Sequence, residues 1–212
     1  MIGNVRVSYT YDGKVSRVGS VRISYTYDGK RVPQMKIAFD LSTAINFNDN
    51  TPTDKACIDL NEKFKNIDLA MLNYNAAGPY PSCFDNLSEK EKFDENKRIL
   101  KRNFDYLCKI IPLLKPKSVM PFAGSYIIGG KNYKKNKYLG TTTWDQCAEY
   151  LEKNLHSKVN VVCLRENQIF DISKQINEQK YKKLNLKEMD IYIDSIKKYK
   201  YDYENDPMPN VE

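Results

Sequence analysis

The sequence predicts an α/β layered domain, a sheet with flanking helices packed against it. Three observations point there. Short apolar runs with the length and β-branched content of buried strands alternate with longer segments of helical periodicity. Glycine, proline and asparagine stand at the junctions between them. No internal stretch of linker composition divides the alternation, so it reads as one layered unit.

The elements follow in order. Residues 5–14 (VRVSYTYDGK) and 21–30 (VRISYTYDGK) differ only at Val7 against Ile23. Each copy alternates apolar and polar side chains and ends in Asp-Gly, a strong hairpin signal, so residues 1–34 read as a duplicated β-hairpin segment. Two copies are too few for a solenoid, and their near-identity favours a recent tandem duplication over a selected pair of twinned hairpins. MKIAFDL predicts a strand over 36–41 that runs on into Ser42, and AINF (44–47) predicts a second, stopped by Asn48-Asp49-Asn50. Beyond Pro52, residues 54–65 form an amphipathic helix with Ala56, Ile58, Leu60 and Phe64 among its apolar positions. IDLAMLNY (67–74) is a buried strand leading into the loop AAGPYPSCF (76–84).

Ser88 followed by Glu91 is a capping-box pattern and opens the clearest helix. Its apolar Phe93, Ile99, Phe104, Leu107, Cys108 and Ile111 recur at helical spacing until Pro112 and Pro116 end it. SVMPFA (118–123) is the next strand, followed by a loop rich in glycine and lysine, GSYIIGGKNYKKNKYLG (124–140). A helix over 143–154 carries Trp144, VNVVCL (159–164) is a further buried strand, residues 186–200 make a charged helix, and 206–212 are a tail.

Composition narrows the function. With 212 residues, 41% hydrophobic and 29% charged, the chain has room for a core and is neither a disordered tail nor a membrane protein. No run approaches the roughly 20 apolar residues of a spanning helix, and the opening MIGNVRVSYTYDG has no apolar signal core, which speaks against secretion. The 5 cysteines are odd in number, widely spread and without a CxxC pair, which fits a reducing cytoplasm. His156 is the only histidine, so a multi-histidine zinc site cannot be built from this chain. It lies between a helix and a strand and reads as a surface residue. Neither a GxxxxGK[ST] loop nor a GxGxxG turn is present. A net charge of +7 invites a nucleic-acid reading, but only 7 of the 34 basic residues are Arg, and 20 Asn alongside the Lys, Ile and Tyr point to an A/T codon bias. The charge is read chiefly as solvated surface.

Three loops at predicted strand ends collect chemistry, as α/β layers do. In Asn48-Asp49-Asn50, a carboxylate flanked by amides is how an aspartate is oriented for a metal or a general base; an Asx turn before Pro52 is the alternative. In the loop from Asn73 to Asp85, Gly78, Pro79 and Pro81 fix the backbone. Tyr74, Tyr80, Cys83 and Phe84 offer a stacking wall for a sugar or base, or else a packed cover for the sheet edge. Nothing beside Cys83 lowers its pKa to make it a nucleophile. In Pro121-Phe122-Ala123-Gly124-Ser125-Tyr126, followed by Gly129-Gly130-Lys131, the glycines permit close approach and Lys131 can neutralise a phosphate.

In order, the runs INFNDN (45–50), IDLAMLNYNAAGPYPSCFDNLSEKEK (67–92) and LKPKSVMPFAGSYIIGGKN (114–132) resemble the later half of metallo-β-lactamase-fold proteins. The branch is that of CMP-N-acetylneuraminate hydroxylase and the bacterial sugar-nucleotide hydroxylase-like proteins. AGPYPSCF and PFAGSYIIGGK are its most specific phrases. The resemblance implies that 35–205 is the C-terminal portion of a metallo-β-lactamase-like domain, part of an αββα sandwich, with Asp49 as metal ligand. Asn48, Tyr80, Tyr126 and Lys131 would bind substrate. Where many relatives place a metal-binding histidine after a strand-end proline, this chain has Ala123. The family's HxHxDH motif should precede residue 35, and no trace of it stands there.

The expectation is therefore a relative of metal-dependent hydrolases or hydroxylases acting on sugar nucleotides, inactive on its own. The complete family member would hold Zn or Fe, which a single aspartate in this chain does not hold tightly. Its partners would be an anionic or sugar-nucleotide ligand, the missing half or a second copy, since half a sandwich leaves one sheet face bare. The alternative is a non-catalytic binding module for an anionic ligand or nucleic acid. For nucleic acid, Lys131, Lys134, Lys135 and Lys137 would act with Tyr133 and Tyr138 interleaved.

Overall fold

The computed structural model describes residues 42–48, 50–123, 125–201 and Glu204, together with the backbone of four short strands nearer the amino terminus. Of those, β1 (Val7–Tyr9), β2 (Val15–Val18) and β3 (Val21–Arg22) form an antiparallel sheet in that order, with Val7 opposite Val18 and Val18 opposite Val21. Asp12-Gly13, where the hairpin signal stands, lies outside the described residues. Residues 7–9 of the first copy of the repeat are β1, and residues 21–22 of the second are β3.

Next come β4 (Lys36–Ala38), β5 (Ala44–Asn46), α1 (Asp54–Lys63), β6 (Leu69–Leu72), α2 (Glu89–Leu114) and β7 (Ser118–Pro121). A 3-10 helix (Gly130–Tyr138), α3 (Trp144–Asn154), β8 (Asn160–Val161), β9 (Ile169–Asp171), β10 (Ile176–Asn177), α4 (Leu186–Ser195) and a closing 3-10 turn (Ile196–Lys198) complete the order.

The expected α/β architecture is present. Strands β5, β6, β7 and β8 form a parallel sheet in sequential order, each joined to the next through a helix. Crossovers of one hand in that order place all three helices on the same face. The packing agrees: Ala70, Leu72 and Val119 of the sheet meet Cys57 of α1, Leu107 and Ile111 of α2, and Cys147 and Leu151 of α3. Side chains alternate across a strand, so Leu69, Met71 and Met120 point to the other face.

That second face corrects an expectation. It is covered, not bare: Leu69, Met71, Met120, Val162 and Leu164 pack with Phe170 and Ile172 from β9 and the turn after it. β9 pairs in parallel with β4 and antiparallel with β10 to make a small second sheet. The layers are helix, sheet, sheet, and self-association is not needed to bury that face. Gln175 fixes the second sheet to the first. Its Oε1 accepts from Ser118 Oγ (2.5 Å), and its Nε2 donates to the Ile172 carbonyl (2.6 Å). The β9–β10 hairpin was not foreseen, because strands of 3 and 2 residues are too short to show a period.

Three further readings change. α2 runs through Pro112 to Leu114, because Ile111 and Leu114 are buried and hold the last turn. It ends at Lys115, whose left-handed backbone donates to the Ile111 carbonyl (2.9 Å). The lysine-rich stretch expected as loop winds into the 3-10 helix. In α1 the buried position is Cys57, while Ile58 and Phe64 are exposed. The Ser88–Glu91 capping box forms as expected.

Candidate functional site

Because the four strands of the main sheet are parallel, all their carboxyl ends open on one edge. The loops after β5, β6, β7 and β8 gather there. Two clefts lie among them.

The first, about 340 Å³, sits between the 50–52 turn, the end of β6 and the middle of α2. Its apolar floor includes Phe47, Leu72 and Ile110; its polar lining is Asn50, Thr51, Asn73, Asn75, Asn103 and Arg102. Among the described residues Arg102 is the only charged side chain lining it. The turn is pinned to α2 by Tyr106, whose hydroxyl donates to the Pro52 carbonyl (2.5 Å), and by the Lys109–Asp54 ion pair (2.6 Å). Burial pushes the Tyr106 hydroxyl up to about 12, so it stays protonated as that donor.

The second cleft, about 260 Å³, lies at the ends of β7 and β8. Tyr74, Phe122 and Trp144 line it with Ala123, Ser125 and Cys163. Burial pushes the Cys163 thiol up to about 12, which makes it an inert wall and no nucleophile.

Asn75 joins the two. It is 4% exposed, and its Nδ2 donates to Ser125 Oγ (3.1 Å) and the Thr142 carbonyl (2.8 Å), while its Oδ1 accepts from Thr142 N (2.9 Å). The Tyr74 hydroxyl and Ser125 Oγ are 2.7 Å apart in a hydrogen bond. Three loops are thereby locked together by one amide.

Of the residues singled out from sequence, Asn50 lines the first cleft and Tyr74, Phe122, Ala123 and Ser125 line the second, whereas the substrate candidates Asn48, Tyr80, Tyr126 and Lys131 line neither. Asp49 and Gly124 lie outside the described residues, although Asn50, the next residue after Asp49, lines the first cleft. Asn48 is exposed at the β5 end, and its N–H donates to Asn46 Oδ1 (2.9 Å). The Tyr80 hydroxyl donates to Glu95 Oε2 (2.7 Å), and its ring meets Phe84 edge-on at 5.0 Å. The Arg98 guanidinium and the Tyr80 hydroxyl hold the Glu95 carboxyl down at about 2. The Tyr126 hydroxyl donates to the Gly78 carbonyl (2.5 Å), so the 76–84 and 122–131 loops do meet. Lys131 stands 3.6 Å from the Glu204 carboxylate. Cys83 is exposed. His156 is exposed on the α3–β8 connection, at the opposite end of the sheet.

Arg102, Asn103 and Asn75 were missed. The first two sit in a helix read only for its apolar stripe; the available signal was an arginine beside an asparagine in a lysine-dominated chain.

The described donors do not fit a metal centre. Among the described residues no group of three or more His, Cys, Asp or Glu converges. The clefts offer amides, hydroxyls, a guanidinium and one neutral thiol, whereas such centres need about three anionic or imidazole ligands. No step is therefore routed through a metal. Among the described residues no helix is long and apolar enough to cross a membrane. No protein-family model, curated protein or solved structure matches the chain.

Proposed function

We propose that the chain is the C-terminal portion of a metallo-β-lactamase-fold protein, of the sugar-nucleotide hydroxylase-like branch. Alone it binds an anionic sugar-phosphate ligand without turning it over. The fold part of this reading is supported by the order helix, sheet, sheet, which is three of the four layers of an αββα sandwich. The functional part is carried by the lining of the first cleft, where Asn50, Asn73, Asn103 and Thr51 stand around Arg102 while Asn75 holds the loops together. An amide both donates and accepts, as sugar hydroxyls require, and a guanidinium matches a phosphate with two parallel N–H groups. Asp49, beside Asn50 in sequence, is the residue through which a complete relative would add its Zn or Fe. The five cysteines are free, consistent with a reducing cytoplasm.

The nucleic-acid alternative is weaker. Its lysines are largely engaged by carboxylates: Lys135 with Asp85 (3.4 Å), Lys137 with Glu89 (3.1 Å) and Lys131 with Glu204.

Calorimetric titration with a uridine diphosphate sugar, with metal chelated, tests the reading. The expected result is saturable binding that Arg102→Ala weakens about tenfold, the loss of one charge-assisted contact, with no turnover. Absence of binding by millimolar ligand, or tight stoichiometric metal with turnover, overturns it.

A further inference from the structure

We propose that the second cleft binds a planar aromatic ring, the nucleobase of the nucleotide whose sugar-phosphate part occupies the first cleft; the inference rests on the reading of the first cleft given above. Four features of the cleft lead there.

The volume, about 260 Å³, is below the range of pockets that enclose whole drug-sized ligands. It admits one ring system, not a nucleotide. The walls are suited to a ring: Tyr74, Phe122 and Trp144 supply three aromatic surfaces, and Cys163 a polarisable one. Two of the aromatics are held by their polar ends, Tyr74 through Ser125 and Trp144 through an Nε1 bond to the Tyr181 hydroxyl (2.5 Å). Tyr181 is fixed in turn by Asp145 (2.8 Å). A site with its rings fixed in advance loses little entropy on binding.

Ala123 supplies the third observation. Its φ is +63, a left-handed conformation that a residue with a Cβ seldom adopts, and it lies in the cleft wall directly after β7. Strain of this kind persists where the surrounding structure imposes it, and it clusters at binding sites. Here it places the smallest chiral side chain at the wall and leaves the cleft open.

The fourth is continuity. Asn73 and Asn75 line the first cleft and Tyr74, between them, lines the second. One segment therefore serves as the partition between an amide-and-arginine site and an aromatic one. That is the division a nucleotide sugar presents, polar and anionic at one end and planar at the other.

The chain's single tryptophan makes the test direct, because Trp144 reports on this cleft alone. Emission is followed while uridine monophosphate or N-acetylglucosamine 1-phosphate is added to the full chain, with calorimetry in parallel. The nucleotide should change Trp144 emission saturably, and the sugar phosphate should bind without changing it. Ala123→Asn tolerates a left-handed backbone and fills the cleft. It should weaken the nucleotide about tenfold, the worth of one stacked base, and leave the sugar phosphate within about twofold. The sugar-phosphate binding that Ala123→Asn retains serves as its folding control. If both ligands bind by calorimetry while Trp144 emission stays unmoved, the inference falls and the first-cleft reading stands. If neither ligand binds to the wild-type chain, both fall.

Discussion

At the amino end of the parallel sheet, Asp68 accepts from Thr43 N (2.8 Å) and pairs with Lys117 (2.7 Å). There too, Ser118 donates to Gln175 and accepts from Asn160 Nδ2 (3.0 Å). At the carboxyl end, Asn50, Thr51, Asn73, Asn103 and Arg102 border open space instead, and only Asn75 is fully consumed in holding loops together. The same residue types do opposite work at the two ends. Where polar side chains are buried at a junction, each must find a partner, and they lock the second sheet to the first. Where the loops splay apart, they remain available to a ligand.

The largest effect should come from the locked end. Gln175→Leu removes the partner of the fully buried Ser118 hydroxyl and puts an apolar side chain on a left-handed backbone (φ +59). Unfolding should cost about 3 kcal/mol less, for the three hydrogen bonds lost with the amide and a buried hydroxyl left without its acceptor. Chemical denaturation with unchanged m-value checks it. A loss under about 1 kcal/mol would mean that the two sheets are held by apolar packing alone.

Asn75→Ala is next, at about 2 kcal/mol, for an amide with three partners. Unlike Gln175→Leu, it should also weaken binding in both clefts, because it frees the loops that form them. Stability loss with unchanged binding would separate the clefts from the Asn75 network.

A pH experiment sharpens the contrast. Burial pushes the Asp68 carboxyl up, but the Lys117 hydrogen bond, the Thr43 N–H and the Lys117 charge together outweigh it and hold the group below its ordinary value of 3.8. The folded state therefore binds this proton less readily than the unfolded one. The contribution is fully present above the ordinary value and is lost as pH falls through the lower folded value. The melting temperature of the wild type should fall between pH 5 and 2 more steeply than that of Lys117→Leu. Parallel curves would show that the pair contributes nothing.

The smallest effect belongs to Ala123→Gly, which relieves a left-handed alanine and should raise stability by up to about 1 kcal/mol. Destabilisation would show that the residue is not strained.

The locked and open ends also explain what could be read from sequence. Leu69–Leu72 and Ser118–Pro121 were legible as buried strands, and Ser88–Glu91 as a helix start, because local pattern and capping decide them. The 3-10 helix and the β9–β10 hairpin were not, since each depends on contacts made across the fold. For the site, the right loops were found, and Tyr74, Phe122, Ala123 and Ser125 with them, but the first cleft is lined largely by other residues. Tyr80, Tyr126 and Lys131 have the chemistry of ligand contacts, yet the fold turns them toward Glu95, Gly78 and Glu204. Arg102 and Asn103 face a cleft that exists only once α2 has packed beside β5 and β6.

Amide chemical-shift mapping with a uridine diphosphate sugar tests the central claim most directly, because it reads both ends of the sheet in one titration. The account predicts saturable shifts at Asn50, Asn73, Asn75, Arg102 and Asn103, with Asp68, Ser118 and Gln175 unmoved. Shifts centred on the amino end, or none at saturating ligand, would contradict it.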